Sequence, residues 1–328
     1  MSTKTGALVI SLDFELLWGI RDLGETGKRS KILSTRQVVP KMLDIFKKYD
    51  IHATWATVGF LFFESRNELL ANLPKSLPAY SNKFLSPYDS ISDEIGVNES
   101  DDPLHYAPSL IREILAVPHQ EVATHTFSHY YCLEDGQSPA DFESDLQSAM
   151  LAAEKYSQKI ESIVFPRNQY ADPYLDVCAQ SGILAFRGNE SIWFRRTSKR
   201  EAHRQWLRRL MRLLDAYVNI SGANAYPLPV KTSLPVNLPA SRYLRSYSRR
   251  FRVFEPLRLN RILSAMTSAA QEGHIFHLWW HPEDFSGNIN DNLLFLEKIL
   301  MKYEELQKKY GMQSLTMAEV SHQVLNRK

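Results

Sequence analysis

Ala7-Leu8-Val9-Ile10-Ser11-Leu12-Asp13-Phe14-Glu15 is an apolar, β-branched run that stops on two carboxylates. Read as a strand, it puts Asp13 and Glu15 on the same side of its C-terminal end, because side chains alternate with a period of two. A second run, Glu121-Val122-Ala123-Thr124, leads into His125-Thr126-Phe127-Ser128-His129. A helical turn beginning at His125 projects both imidazoles from one face, close enough to share a divalent cation. Either histidine alone reads as a hydrogen-bonded core residue. Two acids and two histidines at the ends of two strands read as a metal site.

Similar runs recur at 52–60, 161–165, 182–186 and 274–280. Between them lie stretches with helical spacing, such as Val38, Met42, Ile45 and Phe46, or Leu146, Met150, Ala153 and Tyr156. Strands alternating with helices predict an α/β fold, a mainly parallel sheet or barrel whose chemistry gathers at the strands' C-terminal ends. Asn292 to Lys309 has the pattern of an outer helix, and Ser314 to Val320 that of a short returning strand. Two regions break the alternation. Residues 73–107, with Pro74, Pro78, Pro87 and Pro103, predict a long loop over the site. Residues 195–261 hold sixteen Lys/Arg against Glu201, Asp215 and Glu255, about +13 in a chain whose net charge is +2, so the remainder is net acidic. This basic stretch opens on a helical pattern (Trp206, Leu207, Leu210, Leu213, Leu214) and passes through a proline-rich turn region from Pro227 to Pro239.

At 328 residues the chain accommodates one barrel, which commonly takes about 200–250 residues, with insertions. We therefore expect a single catalytic domain over 1–328, with 195–261 as an Arg-rich insertion. Only Cys132 and Cys178 are present, which excludes a disulfide framework and fits a reducing compartment. Asp13 interrupts the first apolar run before it reaches the length of a signal-peptide core, and no window approaches the roughly 18 uncharged apolar residues of a membrane span. The expectation is a cytoplasmic protein with no transmembrane segment, association with a membrane surface being left open. The small net charge implies no global polyanion partner, and the basic stretch has few aromatics placed to stack on bases, so nucleic acid is not expected.

Taken in order, these motifs resemble the polysaccharide deacetylases of the NodB-homology type, carbohydrate esterase family 4, over about residues 7–320 without the insertion. Ser11-Leu12-Asp13-Phe14-Glu15 stands where that family carries Thr-Phe-Asp-Asp-Gly, and His125-Thr126-Phe127-Ser128-His129 matches its His-[Ser/Thr]-x-x-His motif. Phe165-Pro166-Arg167-Asn168-Gln169-Tyr170 resembles the arginine motif, and Leu278-Trp279-Trp280-His281-Pro282 the late strand that ends in a catalytic histidine. The acidic pair departs from the family pattern in being spaced by one residue, and Asp172-Pro173-Tyr174 competes for the role of the arginine motif.

The resemblance implies an irregular (β/α) barrel of about seven strands and hydrolysis of an N-acyl group, N-acetyl first, from an amino sugar in cell-envelope polysaccharide or O-antigen synthesis. A divalent metal would be held by Glu15, His125 and His129. This carboxylate and imidazole set suits zinc, with iron, cobalt, nickel and manganese as alternatives. Asp13 would be the base, held ionised by Arg167, although the roles of Asp13 and Glu15 can be exchanged. His281 would protonate the leaving amine, with His277 on the same strand in reserve. The resemblance further places Asn168, Tyr170 and Trp193 at the substrate, with backbone N–H groups of 168–170 on the oxyanion. The Trp279-Trp280 pair reads as a sugar-stacking candidate with at least one ring in the core, and Trp280 is taken for the cleft. His105, His119 and His274 read as ordinary residues.

The substrate would be an N-acylated sugar, free, nucleotide-linked or lipid-linked, and the Arg-rich insertion is a candidate docking surface for an anionic glycan or membrane. Two rival readings stand beside this. One keeps the metal and cleaves a small or lipid-linked amide, for instance as a deformylase. The other is a non-catalytic binder of anionic glycan, for which the acids and histidines have no use.

Overall fold

The computed structural model describes residues 5–23, 29–89, 91–190, 205–229 and 233–326. Five parallel strands fall on the expected runs: β1 (Ala7–Phe14), β2 (Ala53–Thr57), β3 (Gln120–Thr124), β4 (Ser162–Ile163) and β5 (Ala185–Phe186). Helices return the chain between them: α1 (Arg29–Leu33) and α2 (Thr35–Lys48), then α3 (Arg66–Ala71), α4 (Ile91–Glu94) and α5 (Pro108–Ala116), then α6 (Pro139–Glu154) and α7 (Asp172–Gln180). The helical spacings read from sequence are those of α2 and α6, whose Val38, Met42, Phe46, Leu146 and Ala153 are buried. Beyond β5 come α8 (Gln205–Tyr217), β6 (Tyr226–Pro227), β7 (Val236–Asn237), β8 (Arg242–Tyr243), α9 (Glu255–Glu272), β9 (His274–Trp280), α10 (Ile289–Tyr310), β10 (Gln313–Leu315) and α11 (Met317–Leu325).

The sheet runs β9-β1-β2-β3-β4-β5-β7 in parallel, with β10 alongside the first half of β1 and β6 antiparallel to the start of β9. One segment joins its two ends. The N–H groups of Val236, Leu238 and Ala240 donate to Leu184, Phe186 and Gly188, and those of Ser241 and Leu244 donate to His277 and Trp279. The sheet therefore curls round, with β1 to β5, the 236–244 segment and β9 as seven staves, as the barrel expectation required.

Alternation along β1 and β9 decides what faces inward. Ala7 and Val9 pack with Ala56, Val164, Ala185, Val236, Leu238 and Ile275 inside the curl. Leu8, Ile10, Leu12 and Phe14 pack outward in the large cluster that holds Met42 and Phe46 of α2. Each such fully buried aliphatic side chain contributes roughly 1.5–3 kcal/mol. The inward row thus fixes the register that carries Ser11 and Asp13 to the inside at the C-terminal end.

Two expectations are corrected. The returning strand ends at Leu315, because Thr316 caps α11: its side chain accepts from Glu319 N while the Glu319 carboxylate accepts from Thr316 N. The long 73–107 loop contains α4, and its Tyr80 and Leu85 form a small cluster with Tyr131 beside the histidine motif.

Candidate active site

Glu15 follows β1 and is packed closely. A Cβ on Gly19 would lie 1.9 Å from Glu15 Oε1, so the carboxylate keeps its position only while residue 19 lacks a side chain. The histidine motif is not helical. Residues 125–130 form a bend, with Thr126 at φ 64° and His129 at φ 58°, left-handed conformations that need outside support. Asp145 on α6 supplies it: its fully buried carboxylate accepts from Phe127 N at 2.7 Å, Ser128 N at 3.1 Å and Ser128 Oγ at 2.5 Å. Burial pushes the Asp145 carboxyl up to about 6, against these bonds, which pull it down. From the other side, Gly59 N and Phe60 N donate to the carbonyls of Thr126 and Phe127. A Cβ on Gly59 would stand 2.4 Å from the Phe127 ring.

The bend brings both rings to Glu15. Glu15 Oε2 lies 3.1 Å from His125 Nε2 and 3.0 Å from His129 Nε2, and all three residues are buried. His125 Nδ1 is 2.8 Å from the carbonyl oxygen of Val164, which can only accept, so Nδ1 carries the proton. In the neutral ring, Nε2 then presents a lone pair to a carboxylate oxygen. Two acceptors facing each other in a buried space are reconciled by a cation between them, and the donor set is one that divalent ions take. The residues present fit the metal. Burial, above all, holds His129 down at about 4, so this ring is neutral at pH 7.

Asp13 lies beside this set, and its partner is Arg187 rather than the expected Arg167. Arg187 Nη1 donates to Asp13 Oδ1 at 2.6 Å and Nη2 to Oδ2 at 2.7 Å, a two-pronged pair that is itself buried. The guanidinium is further held by Ser11 Oγ at 3.1 Å and Asn168 Oδ1 at 3.1 Å, and lies 4.1 Å from the Trp279 ring centre. Burial alone would raise the Asp13 carboxyl. The Arg187 charge and hydrogen bonds, with the His281 charge, outweigh burial and leave it below the usual range. Arg167 is turned outward, 3.4 Å from Glu134 Oε1 and over the Tyr131 ring.

His281 follows β9 and sits opposite, with Nε2 3.7 Å from both Asp13 Oδ2 and Glu15 Oε1. Its Nδ1 is 3.1 Å from Asp284 Oδ2, which also receives the Tyr243 hydroxyl at 2.5 Å. Burial would lower His281, but Glu15, Asp284 and Asp13 together hold it well above its usual value. Burial would raise Asp284; the His281 bond and charge and the Tyr243 hydroxyl instead pull it down to about 2. The reserve candidate, His277, is fully buried beneath the site between Ser11 Oγ at 2.9 Å and the Leu238 carbonyl at 3.1 Å, and burial first of all pushes it down to about 3. It props Ser11, and through Ser11 the arginine, and does not reach the cavity.

A cavity of about 690 Å³ meets this set at His281 and is lined as well by Trp279, Tyr243, Glu190, Arg212 and Arg245. Asn168 lines the cavity too. Tyr170 is set back, its hydroxyl accepting from Asn189 N at 3.2 Å, and the N–H groups of Asn168 and Gln169 are taken by Phe165 and Pro166 carbonyls within their own turn. Trp280 faces away: it is fully buried against Phe46 and Phe285, and Trp279, one residue earlier and of inward parity, presents the ring to the cavity. Trp193 lies outside the described residues. Arg187, Asp145, Asp284, Tyr243 and Gly19 were not singled out from sequence.

Residues 22–186, half the chain, match the polysaccharide deacetylase family, and the chain belongs to that family of hydrolases acting on carbon–nitrogen bonds other than peptide bonds. The matched span contains His125, His129 and Arg167 and stops one residue before Arg187. Among solved structures, it is similar to a candidate polysaccharide deacetylase from Mycobacterium smegmatis (TM-score 0.60, 13% identity, 99% of this chain and 91% of that one). It is also similar to a candidate polysaccharide deacetylase from Pseudomonas aeruginosa PAO1 (0.56, 12%, 96% and 89%). A GH57-type branching enzyme from Pyrococcus horikoshii is similar as well (0.52, 13%, 95% and 69%), so at these identities the likeness is one of fold. No curated protein sequence matches the chain.

Proposed function

We propose that this protein removes an N-acyl group, N-acetyl first, from an amino sugar used in cell-envelope polysaccharide synthesis, with a divalent metal held by Glu15, His125 and His129. The observation that carries the reading is the convergence of both Nε2 atoms on one Glu15 oxygen, at 3.1 and 3.0 Å, beside Asp13 and His281, of which His281 lines a cavity. Zinc suits this set best. When bound, the ion acidifies water and polarises the acyl carbonyl.

The chain's own residues supply the rest. Asp13, kept ionised and oriented by Arg187, takes a proton from the attacking water. His281, whose Nδ1–H is anchored on Asp284, directs Nε2 toward the site and gives its proton to the departing amine, since an amide anion is too basic to leave unprotonated. Trp279 and Tyr243, ring centres 4.8 Å apart, offer an aromatic wall to a sugar face.

One observation favours a finer substrate. Arg167, Arg212 and Arg245 line the cavity against one acid, Glu190, so an amino sugar carrying phosphate, whether nucleotide-linked or lipid-linked, fits better than a neutral glycan chain. The test is acetate or formate release from N-acylated sugars, sugar phosphates and nucleotide sugars by the metal-loaded protein and by the chelated protein. Release that depends on added metal and favours the phosphorylated sugars is expected; release unaffected by chelation rules the metal reading out.

A further inference from the structure

The basic stretch is built in two layers. In the inner layer, Asp215 of α8 is fully buried, 3.4 Å from Arg242 Nη1 and 3.7 Å from Arg261 Nη2, and Glu255 is paired with buried Arg258. Of the three acids in 195–261, Glu201 lies outside the described residues and the other two are thus engaged by interior arginines. Arg245, Arg249, Arg250 and Arg252 remain on the outside, where Asp291 approaches Arg249 at 3.8 Å.

The outer layer is also apolar. Trp206, Leu210, Leu214 and Val218 follow one another at steps of four, so they form a single stripe on and just beyond α8. Their exposures are 68%, 41%, 43% and 58%. A helix of a soluble protein normally turns such a stripe inward. Phe251, Val253, Phe254 and Leu257 are exposed as well, and the Tyr217 ring, 6.5 Å from Phe251 and 6.3 Å from Phe254, joins the two rows. Apolar side chains flanked by exposed arginines are the composition of a surface that enters the headgroup boundary while its cations meet lipid phosphates. Among the described residues, no helix is long and apolar enough to cross a membrane, so the contact would lie on the surface.

We propose that α8 and residues 249–257 form a face that docks on a bilayer containing anionic lipid. The occupant follows from charge complementarity: an apolar protein surface gives the exposed arginines no partner, and a zwitterionic bilayer carries no net negative charge to attract them. α8 also walls the cavity through Arg212 and Leu213, which lie off the stripe, so this one helix separates the docked face from the cavity. That the cavity takes a lipid-linked substrate rests on the function proposed above, whereas the docking itself does not.

The test is co-sedimentation of the full chain with vesicles of phosphatidylcholine alone and of phosphatidylcholine mixed with phosphatidylglycerol, with Trp206 fluorescence as a second readout. Binding to the mixed vesicles only, weakened by salt and lowered at least about tenfold in Leu210→Ser/Leu214→Ser and in Arg249→Glu/Arg250→Glu, is the expected result. Both pairs are exposed, and circular dichroism checks that each variant is folded. Equal binding to neutral vesicles, no binding, or a dimer in solution that Leu210→Ser/Leu214→Ser dissolves would overturn the proposal. Failure to bind vesicles with hydrolysis intact removes only the docking face; loss of metal-dependent hydrolysis with binding intact removes only the catalytic reading.

Discussion

Strand β3 has a histidine just before its first residue and another just after its last. At the base, His119 meets His52 and Asp50; at the top, His125 meets Glu15 and His129; in both sets the ligand atoms lie within 4.8 Å of one another. The basal group is largely exposed, and its two rings are stacked at 4.0 Å with 4° between their planes, so their lone pairs lie in parallel planes instead of meeting. His52 Nδ1 is already 2.8 Å from Glu319. The upper group is buried, its Nε2 atoms converge on one oxygen, and the Val164 carbonyl fixes the His125 tautomer. Residue types and proximity are alike at the two ends. What differs is the surrounding shell that sets tautomer, direction and dryness, and that shell makes the site.

The contrast breaks most sharply through substitution. His129→Ala should lose the bound metal and activity together, by at least about a thousandfold in turnover, while His119→Ala leaves both unchanged; metal analysis and acyl release on the same samples check this. Asp13→Asn should keep the metal and lose about 10²–10⁴ in kcat, the usual contribution of a positioned base; unchanged hydrolysis would remove Asp13 from that role. Arg187→Met leaves a buried carboxylate without its partner and should cost about 3–5 kcal/mol in denaturant unfolding, unlike Arg167→Met, whose exposed pair is worth about 0–1 kcal/mol.

The smallest effect is on pH dependence. His281 is held above its usual value in part by Asp284, and as a proton donor it works below its pKa and fails as pH rises through it. Asp284→Asn removes that support, so the alkaline limb of the kcat profile should move to lower pH while the metal is retained. A limb that stays in place would mean that another group is the acid.

Much of the barrel was legible because β1 and β9 obey their period of two. The row Ala7, Val9, Ser11, Asp13 points inward, and the same parity along Ile275, His277, Trp279 and His281 would have chosen Trp279 over Trp280 for the cavity. The four-residue histidine spacing did not reveal its backbone, since a helical turn and a bend held by Asp145 both bring the rings together. Asp145 and Arg187 carry no local signal of their own: each acts on residues far along the chain, Arg187 on Asp13 and Asp145 on the 127–128 amides. Arg187 does follow directly after the 182–186 run, at the strand end where such folds place their chemistry. Gly19 is explained only by the position of Glu15, which sequence spacing does not give.

The most direct measurement is anomalous diffraction at the zinc edge from crystals of the purified protein soaked in zinc. A peak is expected about 2.0–2.2 Å from Glu15, His125 Nε2 and His129 Nε2. A protein that shows no peak there, or one only at His52 and His119, would contradict the metal reading.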